Sequence, residues 1–211
     1  LPLLDGYHDA QPTLLENKLA NDPSFFCKLI KIVYRAKNDS ENSIALPEGK
    51  KVIAENAWKL LHQWHTPPGM QKNGDFKSEL FESWLAYVSE ECEKSGRYEV
   101  AMITVGNVLI HAPGDESGLW IHRSVAKAIN AKGADDMRQG FNTGTFNSRG
   151  VYTVDPTGQP EKLLAEQFHQ KAESIENEGY QRFAATLREI SEQYRDEAKR
   201  VIDNFDRDDG Y

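Results

Sequence analysis

The residues best suited to chemistry cluster in one segment. Between 117 and 154, five cations (Arg123, Lys127, Lys132, Arg138 and Arg149) stand against two carboxylates, Asp135 and Asp136, for a local net charge of +3. The run from Gly140 to Gly150 adds three glycines together with Asn142, Thr143, Thr145, Asn147 and Ser148. Glycine lets backbone N–H groups converge on an anion, and arginine pairs bidentately with carboxylate or phosphate. His122 and Arg123 join from the element before. The ligand-binding candidates are therefore His122, Arg123, Arg138, Asn147, Ser148 and Arg149. The competing reading is a long structural connection whose polar groups satisfy buried helix ends.

Other constellations are weaker. His62 and His65 are three apart at a helix end and share a face, but no third metal ligand lies near in sequence. Glu90/Glu91 and Asp135/Asp136 are neighbours in sequence, which a helix sets apart around its axis, so neither pair makes a carboxylate dyad. The chain has no phosphate-loop motif, no His-Glu-x-x-His, no Cys-x-x-Cys and no Gly-x-Ser-x-Gly. Asp206 to Gly210 opens like a calcium loop but lacks the closing glutamate. No catalytic residue, metal site or cofactor is assigned.

These side chains need a scaffold, and apolar spacing supplies one. Pro12-Thr13 opens a short helix, with Thr13 and Glu16 at capping-box spacing. Asp22-Pro23 starts the next, and Phe25, Phe26, Leu29, Ile30, Val33 and Tyr34 recur at helical intervals. Pro47 opens a helix that His65 to Gly69 stops. Asp75 is expected to cap a long helix, turned at Ser95-Gly96-Arg97 into a second. Residues 119–131 read as helical, Asp135 to Gly140 as one more turn, and Val151 to Val154 as a short extended segment. The last fifty residues form a helical hairpin turned at Glu178-Gly179. The expected fold is all-α: antiparallel helical hairpins, solenoid-like or in a compact bundle, with an irregular loop around 140–158. The chain reads as one helical domain, 1–211, or as sub-units 1–113 and 114–211.

The 211 residues carry 25 Lys/Arg and 33 Asp/Glu, a formal net charge of −8. That balance disfavours broad nucleic-acid binding, which needs a basic face. No run approaches the ~20 apolar residues of a membrane-spanning helix. Cys27 and Cys92 read as reduced core residues of a cytoplasmic protein, with a single bridge as the alternative. The chain starts at Leu1 without a basic and apolar leader, so it is expected to be a fragment of a longer protein or a processed chain.

Two resemblances add to this. Gly96-Arg-Tyr-Glu-Val-Ala101 and Gly179-Tyr-Gln-Arg-Phe-Ala184 resemble the turns of tetratricopeptide-type hairpins, although they lie 83 residues apart where that repeat has a period of ~34. Trp120-Ile-His-Arg123, Met137-Arg-Gln-Gly-Phe141, Phe146-Asn-Ser-Arg-Gly150, Asp155-Pro-Thr-Gly158 and Tyr180-Gln-Arg-Phe-Ala-Ala185 resemble the C-terminal region of large, mostly uncharacterised bacterial multidomain proteins. That resemblance carries over no functional residue and implies the helical tail of something larger.

Three functions follow as expectations. The first is a non-catalytic interaction or regulatory module that binds a protein partner or another part of its parent chain, with four Trp and eight Tyr as anchors. The second is a ligand- or nucleic-acid-sensing domain using the basic 117–154 segment. The third is an enzyme with dispersed active-site residues.

Overall fold

The computed structural model describes residues 13–37, 48–150 and 154–208. Among them are nine helices and no strand; an isolated bridge between Met70 and Phe76 is the one extended pairing. No helix among the described residues is long and apolar enough to cross a membrane. The chain divides into two units, Leu1–Pro113 and Gly114–Tyr211.

The first unit holds α1 (Thr13–Asn21), α2 (Pro23–Val33), α3 (Glu48–His62), α4 (Ser78–Lys94) and α5 (Tyr98–Leu109). Asp22 accepts the Phe25 amide at 3.0 Å and Pro23 sits in the first turn, so α2 starts where sequence places it. The α2 stripe buries Phe26, Cys27, Leu29 and Ile30, and α2 packs on α3, α4 and α5. Phe26, Trp64 and Trp84 form the centre, with ring centroids 5.0–5.9 Å apart. The Trp84 indole N–H donates to the Leu19 carbonyl at 3.0 Å, fixing α1 to α4. Cys27 and Cys92 are free, buried thiols 3.8 Å apart, with Cys92 donating to Cys27. That hydrogen bond and burial push the Cys92 thiol up. Gly96, at φ +64°, turns α4 into α5, and Arg97 beside it donates to the Tyr34 carbonyl at 2.8 Å.

Two expectations here are corrected. Asp75 does not cap α4: that helix begins at Ser78, and Asp75 is bound to Asn73 inside the preceding loop. The loop holds that register because Lys77 N–H reaches back to Gly69 O and Gln71 N–H reaches Asp75 O. Glu16 makes no capping box. It is buried and accepts the His65 amide and the Thr66 hydroxyl at 3.1 and 3.0 Å. Pro47 lies outside the described residues.

The second unit holds α6 (Arg123–Asn130), α7 (Asp135–Asn147), α8 (Gln159–Asn177) and α9 (Gln181–Asp208). The α8–α9 hairpin turns at Gly179, φ +85°. Ala165, Phe168, Ala172 and Ile175 on α8 are buried, as are Phe183, Ala184, Leu187, Ile190, Tyr194 and Ala198 on α9. The helix expected over 119–131 starts only at Arg123, because Asp115 N–H bonds Leu119 O and closes the preceding residues into a loop.

The largest correction is at 140–158, expected to be an irregular loop. Helix α7 continues through that segment to Asn147. Its buried residues are Met137, Gly140, Phe141, Gly144 and Thr145, a spacing of three and four. Glycine disfavours a helix interior by about 1 kcal/mol. Here packing outweighs propensity: α7 lies on α9, and the Phe141 ring meets Phe183 edge-on at 5.1 Å. Beyond it, residues 154–158 are a turn closed by Asp155, whose carboxylate accepts the Thr157 amide. Of the expected extended segment, 151–153 lie outside the described residues.

Candidate functional site

The six candidates fall at helix ends of the second unit. His122 is the N-cap of α6, its Nδ1 accepting the Ser124 amide at 3.3 Å. Its Nε2 lies 3.9 Å from Asp115. Asp115 also accepts the backbone amides of Ser117 and Arg123, at 2.9 and 3.3 Å. The Ser117 hydrogen bonds, with help from Arg123 and His122, bring the Asp115 carboxyl down to about 2.

Each arginine is committed inside the unit. Arg123 binds the Ser117 hydroxyl at 3.1 Å, lies 3.5 Å from Asp115 and pairs with Glu178 at the hairpin turn. Arg138 donates to the carbonyls of Ile129 and Ala131, at 2.8 and 2.9 Å, and pairs with Asp135 at 2.6 Å. It is a C-terminal cap for α6. Arg149 pairs with Glu161, lies 3.5 Å from Glu197 and stands over the Tyr194 ring.

Asn147 is exposed and ends α7, its carbonyl taking the Gly150 amide. Ser148 donates to the Thr145 carbonyl at 2.8 Å. The structure thus gathers His122 and Arg123 around Asp115 and leaves Asn147, Ser148 and Arg149 consecutive at the end of α7. The other partners of these groups are helix ends and internal carboxylates.

The same logic reaches residues that sequence reasoning missed. Asn130, ending α6, accepts the Arg182 and Phe183 amides at 2.8 and 3.3 Å and so caps α9 from another helix. Lys171 lies between the Trp120 and Phe168 rings, 4.7 and 4.8 Å from their centroids, and burial draws its ammonium pKa down. A polar groove of about 430 Å³ between α7 and α9 includes Arg138, but Asp135 and Glu189 also line it, so it is no anion cradle. His62 and His65 do not converge. His62 stacks on Trp58 at 3.9 Å, whereas His65 meets His111 edge-on at 4.7 Å. No group of three His, Cys, Asp or Glu suited to a metal occurs among the described residues.

A second groove, of about 630 Å³, lies in the first unit between α1 and the 70–77 loop. Lys18, Lys72 and Lys77 line it, and no carboxylate among the described residues does. Asn17, Asn21, Asn73 and Gln71 supply amides, and Leu14 supplies apolar surface. The Gln71 Nε2 is shut off from solvent and has no hydrogen-bond partner. Its lysines are scattered over residues 18 to 77, so no local charge run marks it in sequence.

Comparison with protein-family models, with curated proteins and with solved structures finds no match to this chain.

Proposed function

We propose that this chain is a non-catalytic helical interaction or regulatory module of a larger bacterial protein, and that it binds a protein partner. The observation that carries the reading is the distribution of cations. On a chain of net charge −8, the three arginines of the 117–154 candidates are bound to carboxylates and carbonyls of their own unit, while Lys18, Lys72 and Lys77 border an open groove. Charge held inside a fold positions elements; charge left at a groove is available to recognise another molecule.

The alternative of an anion sensor built on 117–154 loses its recognition groups to these internal bonds. The enzyme reading rests on one contact, the His122 Nδ1 at 2.9 Å from the Ser124 hydroxyl with Asp115 at its other ring nitrogen, and that histidine is spent capping α6 through the Ser124 amide.

The test is capture by the parent protein with and without residues 1–211. Loss of a specific protein partner on deletion supports the reading. Undiminished recovery overturns it.

A further inference from the structure

We infer that the groove between α1 and the 70–77 loop receives an acidic peptide segment of the partner; the inference rests on the interaction-module reading above. The groove places three ammonium groups around one concavity with no opposing carboxylate among the described residues of its lining. Lys72 and Lys77 have no ion-pair partner among the described residues, and Lys18 lies over the Phe25 ring, 4.6 Å from its centroid. Such a surface attracts negative charge and repels the basic segments that the rest of this acidic chain would attract.

The remaining groups favour a peptide over a nucleic acid. The Asn17 amide nitrogen donates to Thr13 O and that of Asn21 to Asn17 O, both at 2.8 Å. The Oδ1 atoms of Asn17 and Asn21 are left to accept, which suits backbone N–H groups and has no use against phosphate. Leu14 is 82% exposed and offers contact to an apolar side chain. Among the described residues no aromatic ring and no arginine lines the groove, so none of them stacks a base or forks a phosphate. The volume lies within the ~300–1,000 Å³ of ordinary ligand sites.

The test is fluorescence anisotropy on the intact chain with a labelled peptide repeating Glu-Leu-Glu-Ser, the same peptide with Lys for Glu, and labelled oligothymidylate, with inorganic pyrophosphate as competitor. The acidic peptide should bind, more weakly as salt rises, and the basic peptide should not. Lys72→Glu with Lys77→Glu should weaken binding about tenfold or more. Lys72→Gln with Lys77→Gln should fall between, and Lys127→Glu with Lys132→Glu in the other unit should leave binding unchanged. Both groove lysines are exposed, and unchanged thermal melts check that the variants fold. Tighter binding of oligothymidylate, full displacement by pyrophosphate, or equal losses in the two glutamate pairs would overturn the inference. If the parent still loses its partner on deletion of 1–211 while the groove variants retain it, the groove assignment falls and the module reading stands.

Discussion

Arg149 closes on Glu161 at the base of the α8–α9 hairpin, joining the end of α7 to a carboxylate with no solvent exposure. Glu197 and the Tyr194 ring, both on α9, complete the surround. One guanidinium therefore ties three helices of the second unit. Its function is to hold structure, so its removal should appear first as lost stability.

Arg149→Ala would leave Glu161 buried and uncompensated. Breaking one side of such a pair costs about 3–5 kcal/mol. Replacing both partners, Arg149→Met with Glu161→Leu, should restore most of that loss, because an apolar pair carries no desolvation penalty. Urea titration of the three proteins is the measurement. Equal stability of Arg149→Ala and the unaltered chain would place the arginine outside the scaffold.

Asp115 gives the second unit a defined acid response. Its folded carboxyl sits at about 2, held down chiefly by the Ser117 hydrogen bonds, against ~3.9 for an unstructured aspartate. A depressed carboxyl stabilises the fold above its unfolded value and loses that contribution as pH falls through its folded value. The loss should therefore span pH ~4 down to about 2. Asp115→Asn should melt lower than the unaltered chain at neutral pH, and the two curves should converge as pH falls. Parallel curves across that range would show that Asp115 does not couple to folding.

How far the sequence was legible depends on which force set each element. Where an apolar stripe is reinforced by a cap, as after Asp22-Pro23, or runs unbroken, as along the hairpin from Leu164 to Phe205, the helices lie where spacing places them. Beyond Gly140 the local signals of Gly, Asn, Thr and Ser point to turns, whereas the chain continues as α7. The residues that overrule them sit on α9, far along the chain. The missed sign was the recurrence of Met137, Phe141 and Thr145 at every fourth position. For the candidate site, residue type was legible and commitment was not: the choice of Glu161 by Arg149 and of α6 carbonyls by Arg138 is made only in three dimensions. The lysine groove was invisible for the same reason, since its members come together only when α1 meets the 70–77 loop.

Glu16 tests how α1 is fastened. Its Oε2 accepts from His65 N–H and the Thr66 hydroxyl, while Oε1 is buried without a partner. Glu16→Ala strands both donors and should cost about 1–3 kcal/mol. Glu16→Gln keeps an acceptor oxygen of the same reach, adds a donor and removes a buried charge, so it should cost less. Hydrogen exchange at the His65 amide should accelerate strongly in the alanine variant and modestly in the glutamine variant. Unchanged exchange in both would mean that another group holds the amide.

Gly158 and Gly150 form a matched pair that separates backbone strain from steric contact. Both are left-handed, at φ +61° and +62°. A Cβ at Gly150 would meet nothing within 4 Å, whereas one at Gly158 would lie 2.8 Å from the Ala198 carbonyl oxygen and 3.2 Å from its Cα. Gly150→Ala therefore carries only the conformational penalty, about 1–2 kcal/mol. Gly158→Ala carries the same penalty plus displacement of α8 from the α9 backbone, which no side-chain rotation relieves. Its loss should exceed that of Gly150→Ala by about 1 kcal/mol or more, in line with the cost of overpacking a tight contact. Denaturant midpoints of the two variants measure the difference. Equal losses would mean that the start of α8 yields freely, and that the hairpin does not depend on the close approach of Gly158 to Ala198.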